Sequence, residues 1–306
     1  MGNKSPELEL AYETNLGKFF KASIENALKS KTFNQLKGKV NLIITSPPFP
    51  LNRKKKYGNF NGDEYIEWLT SITSQFSELL TEDGSFVIEI GNAWEENEPT
   101  MSTLPLETLL QIKKSGNFKL CEQFVWFNTA KLPSPVQWVN IERSRVKDSF
   151  TNIWWLAKTS KPKANNKNVL EAYSVSMEKL LKNKKYNSGV RPSEHKIGEK
   201  SFLTNHGGAI PSNVLVGSNT VSNSEYLKYC QENGITPHPA RMPNFIPEFF
   251  VKFLTDENDL VFDPFGGSNT TGEISESLNR RWIATELDEN YIKGSRAKFN
   301  LKNEFA

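Results

Sequence analysis

Two clusters in this chain have residue types and spacing suited to chemistry. The first is Asp263-Pro264-Phe265-Gly266-Gly267-Ser268-Asn269-Thr270-Thr271-Gly272, directly after the apolar run Leu260-Val261-Phe262. A glycine-rich turn between strand and helix lets the backbone approach a ligand closely and aims helix N–H groups at it. Glu286, twenty residues after Gly266, ends the next apolar run and is placed to hold a ribose diol. The turn lacks the spaced glycines of a dinucleotide site and the Gly-Lys-Ser/Thr of a phosphate loop. Two adjacent glycines flanked by Asp263 suit a nucleoside cofactor with a cationic or polar amino-acid tail. The second cluster is Ser46-Pro47-Pro48-Phe49, at the end of Val40-Asn41-Leu42-Ile43-Ile44. Successive prolines stiffen this loop, so the Ser46 side chain and the Pro47 carbonyl form a fixed pair of acceptors. Phe49 adds a flat stacking surface.

These clusters need elements that hold them. The run 40–44 reads as a buried parallel strand stopped by prolines, which cannot continue a ladder. Helical spacing predicts a helix over 63–80 with Asp63 as its N-cap, and Asp83-Gly84 predicts a turn into a strand over 85–90 closed by Gly91. Further strands are predicted at 118–126 and 149–157, then at 259–262 and 282–286, with helical spacing through Ile274 and Leu278 between the last two. Helices are predicted over 223–230, ended by Gly234, and over 245–254, with Pro247 in its first turn. This alternation predicts an α/β fold, a largely parallel sheet covered on both faces. From Lys158 to about His206 the apolar periodicity collapses; beyond a helix near 170–182, this long stretch reads as loop.

The chain has 306 residues, 37% hydrophobic and 11% aromatic, enough for a globular core. Its 38 basic and 35 acidic residues leave a net charge of only +3. That figure conceals a partition. Residues 161–200 carry ten basic and four acidic residues, and Arg53-Lys54-Lys55-Lys56 add four cations with no acid; the remainder is net acidic. Two basic stretches on an acidic body predict a polyanion held at defined places. Cys121 and Cys230 form neither a disulfide framework nor a zinc pair, and fit a reducing cytoplasm. His195, His206 and His238 make no metal-ligand pattern; His238 is expected to support a loop. No run of 18 apolar residues and no apolar N-terminal segment predict neither a membrane span nor secretion.

The serine–proline motif resembles the catalytic motif of the β-class DNA amino-methyltransferases of restriction–modification systems. The stretch from Asp263 resembles their S-adenosylmethionine motif, and His238-Pro239-Ala240-Arg241-Met242-Pro243 resembles the segment preceding it. Catalytic motif first, basic region next and cofactor motif last is the order of that family. The resemblance spans about 40–95, 118–160 and 205–292, and is nearest to the cytosine-N4 type. It implies a Rossmann-like methyltransferase sheet with circularly permuted motif order. The implied division is a catalytic half at 1–160, a target-recognition insert at 161–205 and a cofactor half at 206–306.

It further implies transfer of a methyl group from S-adenosylmethionine to the N4 amino group of a flipped-out cytosine. Such an amino group is a poor nucleophile, because its lone pair is delocalised into the ring. Acceptors at Ser46 and Pro47 would take its N–H bonds and favour a lone pair aimed at the methyl group. Pro48 stiffens the loop and Phe49 stacks on the base, which must leave the duplex to arrive there. In the family, serine at the first motif position accompanies cytosine-N4 chemistry, whereas Asn or Asp accompanies adenine-N6 chemistry, the alternative here. Neither cysteine follows a proline, against a Pro-Cys nucleophile. Glu89 either carries the amino proton away or caps a neighbouring loop. Asp263, Phe265, Gly266, Gly267, Ser268, Asn269 and Thr270 are expected around the cofactor, with Glu286 on the ribose. Trp282 or residues 283–287 are expected to wall the adenine, and Asn41 stands where relatives often carry Asp. Lys182, Lys184, Lys185, Arg191 and Lys196, with Arg53 and Lys54 to Lys56, are expected on DNA phosphates; Asn187, Arg191 or His195 would reach base edges. The implied setting is cytoplasmic, on double-stranded DNA, as a monomer or weak dimer. The implied companion is a restriction endonuclease, without an obligate complex. A nucleic-acid-binding module with an inactive cofactor pocket is the remaining alternative.

Overall fold

The computed structural model describes residues 7–49, 62–186, 188–198, 202–220, 224–299 and 301. In chain order its elements begin with β1 (Glu9–Glu13), β2 (Gly17–Lys21), α1 (Ile24–Lys29), α2 (Lys31–Asn34) and β3 (Val40–Thr45). There follow α3 (Gly62–Thr73), α4 (Phe76–Leu79), β4 (Leu80–Gly91), α5 (Leu104–Ser115), β5 (Lys119–Phe127) and β6 (Phe150–Ala157). The next are α6 (Val175–Asn183), β7 (Gly189–Val190), β8 (Lys196–Ile197), β9 (Val214–Val216), α7 (Glu225–Glu232) and α8 (Phe245–Leu254). The chain closes with β10 (Leu260–Asp263), α9 (Thr270–Ser277), β11 (Arg281–Glu286) and α10 (Glu289–Ser295).

Among the described residues the main sheet has the order β1-β2-β11-β10-β3-β4-β6-β5-β9. Its centre, from β2 to β4, is parallel throughout. Parallel strands buried on both faces read as continuous apolar runs, and β3 and β10 do. One face is covered by α1 to α5 through Ile24, Phe33, Leu69, Phe76 and Leu109. The other is covered by α8 through Ile246, Phe250, Val251 and Leu254. After β3 the chain proceeds to β4 on one side, and after β10 to β11 on the other. The carboxyl ends of β3 and β10 therefore flank the topological switch point, where open α/β sheets place ligands. β6 runs antiparallel to β4, and β5 antiparallel to β6, so the connection from β5 to β6 also emerges at this edge.

Several boundaries differ from the sequence expectation. The helix expected over 63–80 is two, α3 and α4, and Asp63 lies in the first turn of α3 rather than before it. Asp83-Gly84 is no turn but lies inside β4. A methyl group on Gly84 would approach the carbonyl oxygens of Val40 and Asn41 to 3.0 and 3.2 Å, so the glycine admits a close strand approach where the β3–β4 register shifts. β1 and β9 at the sheet edges, and β2 beside β1, are strands that apolar periodicity did not reveal. Residues 165–212 form a second compact unit, distinct from the unit built by 1–164 and 213–306. Within it, Ser174 caps α6 through the Met177 N–H, and β7 pairs antiparallel with β8. No helix among the described residues is long and apolar enough to cross a membrane.

Candidate active site

The carboxyl ends of β3, β4, β10 and β11 carry the chemistry-bearing residues to one edge of the sheet. β3 pairs with β4 so that Thr45 lies opposite Ile88, one residue before Glu89. Ser46 follows Thr45, and its hydroxyl is hydrogen-bonded to the Glu89 carboxylate. Glu89 is only 4% exposed. Burial pushes its carboxyl up to about 7, opposed by the Ser46 hydrogen bond and by the positive charge of Lys131. Pro47 is buried, and Pro48 and Phe49 are half-buried. A methyl group on Gly91 would fall 2.8 Å from the Phe49 ring, so the glycine ending β4 lets that ring lie on the strand backbone.

Asp263 sits beside this group, but not as sequence reading placed it. Its carboxylate accepts from Thr45 Oγ1 at 2.8 Å and from the Phe265 N–H at 3.1 Å on one oxygen. On the other it accepts from Thr271 Oγ1 at 2.7 Å. It is buried, and desolvation raises its pKa. Asp263 thus clasps the end of β3 to the start of α9; what it holds is the loop, and its carboxylate faces protein donors. Asn269 also turns inward. Its backbone is left-handed at φ 56°, and its Oδ1 caps the Gly272 N–H at 3.1 Å. Its Nδ2 donates to the Tyr12 hydroxyl at 3.0 Å. Ser268 and Thr270 are buried, and Thr270 accepts from Lys298 Nζ at 2.8 Å, a lysine also paired with Glu273.

The turn itself is tightly drawn. A methyl on Gly266 would lie 2.9 Å from the Phe19 ring and 3.1 Å from Ala284 Cβ, and Gly267 adopts φ +52°. The Gly267 N–H donates to Glu286 Oε2 at 2.8 Å, while Glu286 Oε1 accepts from Leu287 and Asp288 N–H, each at 2.8 Å. A carboxylate has about four acceptor positions, so Glu286, half-exposed, keeps capacity for a hydroxyl. Phe265 is half-buried against Trp68, whose indole N–H is held by Glu25. His238 packs edge-on to Tyr291 beside Gly267, and its backbone N–H donates to the Tyr226 hydroxyl, the loop support expected of it.

Trp282 does not wall a ligand. It is buried, stacked on Phe299, with its N–H on Glu276. Ile283 lines a surface cleft with Leu260 and Arg281, at the amino ends of their strands. Asn41 instead ties β3 to β10 by accepting the Leu260 N–H at 3.0 Å. In the separate 165–212 unit, Lys182, Lys184, Lys185 and Lys196 are exposed, as is His195; Arg191 is half-buried over the Tyr186 ring. Arg53, Lys54, Lys55, Lys56 and Asn187 lie outside the described residues.

Sequence reading also overlooked a polar chain beside Glu89. Lys131 pairs with Asp148 at 2.8 Å, Asp148 accepts from Asn92, Asn92 accepts from Asn152, and Asn152 accepts from Gln123. The signal was present as five polar residues near strand ends, but no spacing rule connects positions so far apart in sequence.

A serine–proline loop and a glycine-rich nucleoside turn meeting across a switch point define a methyltransferase site, and the chain belongs to the DNA methylase family. The model of that family matches residues 40–297. Type II methyltransferase M.PvuII of Proteus hauseri is 45% identical over 262 residues, 85% of this chain and 78% of that protein. Type II methyltransferase M.BglII of Bacillus subtilis is 26% identical, over 83% of this chain and 61% of its own. The solved structure of PvuII DNA methyltransferase (cytosine-N4-specific) superposes with a TM-score of 0.75 at 35% identity, covering 97% of this chain and 91% of that one.

Proposed function

We propose that this protein transfers a methyl group from S-adenosylmethionine to the exocyclic N4 of cytosine in duplex DNA. The observation that carries the reading is the buried Ser46–Glu89 hydrogen bond at the root of a serine-type Ser-Pro-Pro-Phe loop, in a chain 45% identical to M.PvuII. The residues at the β10–β11 edge fit the cofactor: Glu286 has acceptor capacity for ribose hydroxyls, and Gly266 and Gly267 let the turn pack closely against Phe19 and His238. Phe265, Gly266, Gly267 and Glu286 would hold it, with Asp263 and Asn269 shaping the loop. When bound, the cofactor supplies an electrophilic methyl group.

The chain's own residues account for the rest. Ser46 donates its hydroxyl hydrogen to Glu89, leaving lone pairs that accept one amino N–H of the base; the Pro47 carbonyl accepts the other. As the nitrogen gains the methyl group it must lose one proton, which passes through the Ser46 oxygen to Glu89. A carboxyl titrating near 7 is suited to take a proton at neutral pH and release it afterwards. Phe49 stacks on the extruded base. The exposed lysines of the 165–212 unit act on phosphates as a target-recognition region. The enzyme protects cytoplasmic DNA from a companion endonuclease with which it forms no obligate complex, and works as a monomer or weak dimer.

The test is digestion and mass spectrometry of DNA after incubation with labelled cofactor. N4-methylcytosine is expected. N6-methyladenine alone, the product of the alternative reading, refutes the assignment. Sequencing the modified DNA then yields the site.

A further inference from the structure

Between β5 and β6 the chain makes a long excursion, residues 128–149, at the same edge as Ser46 and Glu89. Its feet are fixed. Phe127 pairs with Phe150, Thr151 lies opposite Gly91, and Asp148 binds both Lys131 and Asn92 at 2.8 Å. Gly91 in turn carries the Phe49 ring. The excursion is ordered by its own backbone. The Glu142 N–H donates to the Gln137 carbonyl at 2.9 Å, Ser144 to Trp138 at 2.9 Å, and Asp148 to Ser134 at 3.0 Å.

An ordered loop held this firmly nevertheless presents apolar side chains to water. Leu132 is 80% exposed, Ile141 66% and Val146 86%. Three large apolar side chains this exposed within one short, internally bonded loop single it out as a surface with a partner to meet. Across 128–149 they are accompanied by Lys131, Arg143, Arg145 and Lys147 against Glu142 and Asp148; with Lys131 paired to Asp148, Arg143, Arg145 and Lys147 outnumber Glu142. Cations beside exposed hydrophobics favour a polyanion with an apolar interior over a second copy of this chain, which would bring like charges to the contact.

We propose that this excursion is a DNA-contact element. Its cations grip phosphates beside the target, and its exposed apolar side chains fill the stacking space that the extruded base leaves. Proteins that unstack base steps use apolar wedges in this way, and enzymes that act on a flipped base must offset the unstacking. The proposal rests on the methyltransferase reading above and assigns a further surface to it.

The experiment uses the full chain and a duplex of about 30 base pairs carrying the site mapped by sequencing. One version is fully paired, one has a mismatch opposite the target, and one has 2-aminopurine at the target position. In the double variant Ile141→Ser, Val146→Ser, methylation of the paired duplex is expected to fall at least ~10-fold. The 2-aminopurine fluorescence rise on binding should fall with it. The mismatched duplex, already unstacked, should be methylated within ~3-fold of wild type. Arg143→Glu is expected to weaken binding to all three duplexes and to lessen the salt dependence by about one phosphate contact. Equal losses on paired and mismatched duplexes, or no loss on either with unchanged binding by Arg143→Glu, overturn the proposal. So does a change from dimer to monomer in sedimentation with DNA binding intact, which assigns the surface to a second copy. Should the double variant melt early, Arg143→Glu alone decides, and undiminished duplex binding refutes the assignment. If wild-type protein methylates no duplex at all, it is the methyltransferase reading that fails.

Discussion

Replacing Glu89 by glutamine should cost activity and increase stability, with opposite pH profiles. The carboxyl is buried and its pKa is pushed from an ordinary 4.5 to about 7. Between those values the folded protein retains a proton that the unfolded chain has released, so wild-type stability falls as pH rises through that window. By pH 8 the loss amounts to about 3 kcal/mol, at about 1.4 kcal/mol per pH unit. The substituted amide carries no charge, and its oxygen still accepts the Ser46 hydroxyl, so the variant escapes the loss. Near pH 4 the two proteins should melt together; at pH 8 the variant should melt about 5 °C higher, taking roughly 2.1 cal/mol/K of unfolding entropy per residue. Methyl transfer should fall ~10²- to 10³-fold, because no base remains to receive the amino proton. In wild type, activity should rise with pH to a plateau above about 7, as Glu89 becomes a carboxylate. Scanning calorimetry across pH and a single-turnover assay measure both. A variant less stable than wild type at pH 8, or a stability difference that does not vary with pH, refutes the account of Glu89 as a carboxyl held against desolvation.

Ser46→Ala should lower single-turnover methylation ~100-fold with little change in calorimetric cofactor affinity. Losing the Ser46 hydrogen bond should also move the acid limb of the remaining activity to higher pH. Asp263→Ala leaves the Thr45 and Thr271 hydroxyls and the Phe265 N–H without their acceptor, and should destabilise the fold by about 3 kcal/mol or more in urea unfolding. It should weaken cofactor binding although the carboxylate's hydrogen bonds all go to protein donors; unchanged affinity would show that the clasp does not shape the turn. Replacing Arg53, Lys54, Lys55 and Lys56 together by alanine should weaken binding to every DNA sequence and flatten its salt dependence. An unaltered salt slope removes that run from the DNA interface.

The parts of the fold readable in advance were those written in local patterns. β3 and β10 are largely apolar runs followed by distinctive turns, β11 holds a Trp-Ile-Ala core ending at Glu286, and α8 announces itself by its apolar spacing and first-turn proline. Gly84 misled because glycine signals a turn and a close strand approach with the same letter. β1 and β2 escaped because they are short and flanked by charged residues, and the partner that buries their Tyr12 and Phe19, Trp282, lies far along the chain. Around the site, Ser46 and Glu89 could be paired from strand endings alone. The orientation of Asp263 and Asn269 could not. A motif names which residues gather at a turn but not which of their oxygens face ligand, since that is decided by partners such as Thr45 and Tyr12, more than 200 residues away. The β5–β6 excursion was missed for a different reason. Its Trp138, Ile141 and Val146 look like core residues in sequence, and only the folded chain reveals Ile141 and Val146 as surface.

The Thr45–Asp263–Thr271 clasp has a consequence for how such a protein can change. It joins two stretches of chain separated by 218 positions, and the whole 165–212 unit lies in the interval. The register between the serine–proline loop and the glycine-rich turn is therefore fixed by hydrogen bonds across neighbouring strands, not by the length of polypeptide between them. Residues can be gained, lost or exchanged within the 165–212 unit without altering that clasp. The intervening 165–212 unit can thus vary while the geometry at the carboxyl ends of β3 and β10 stays fixed.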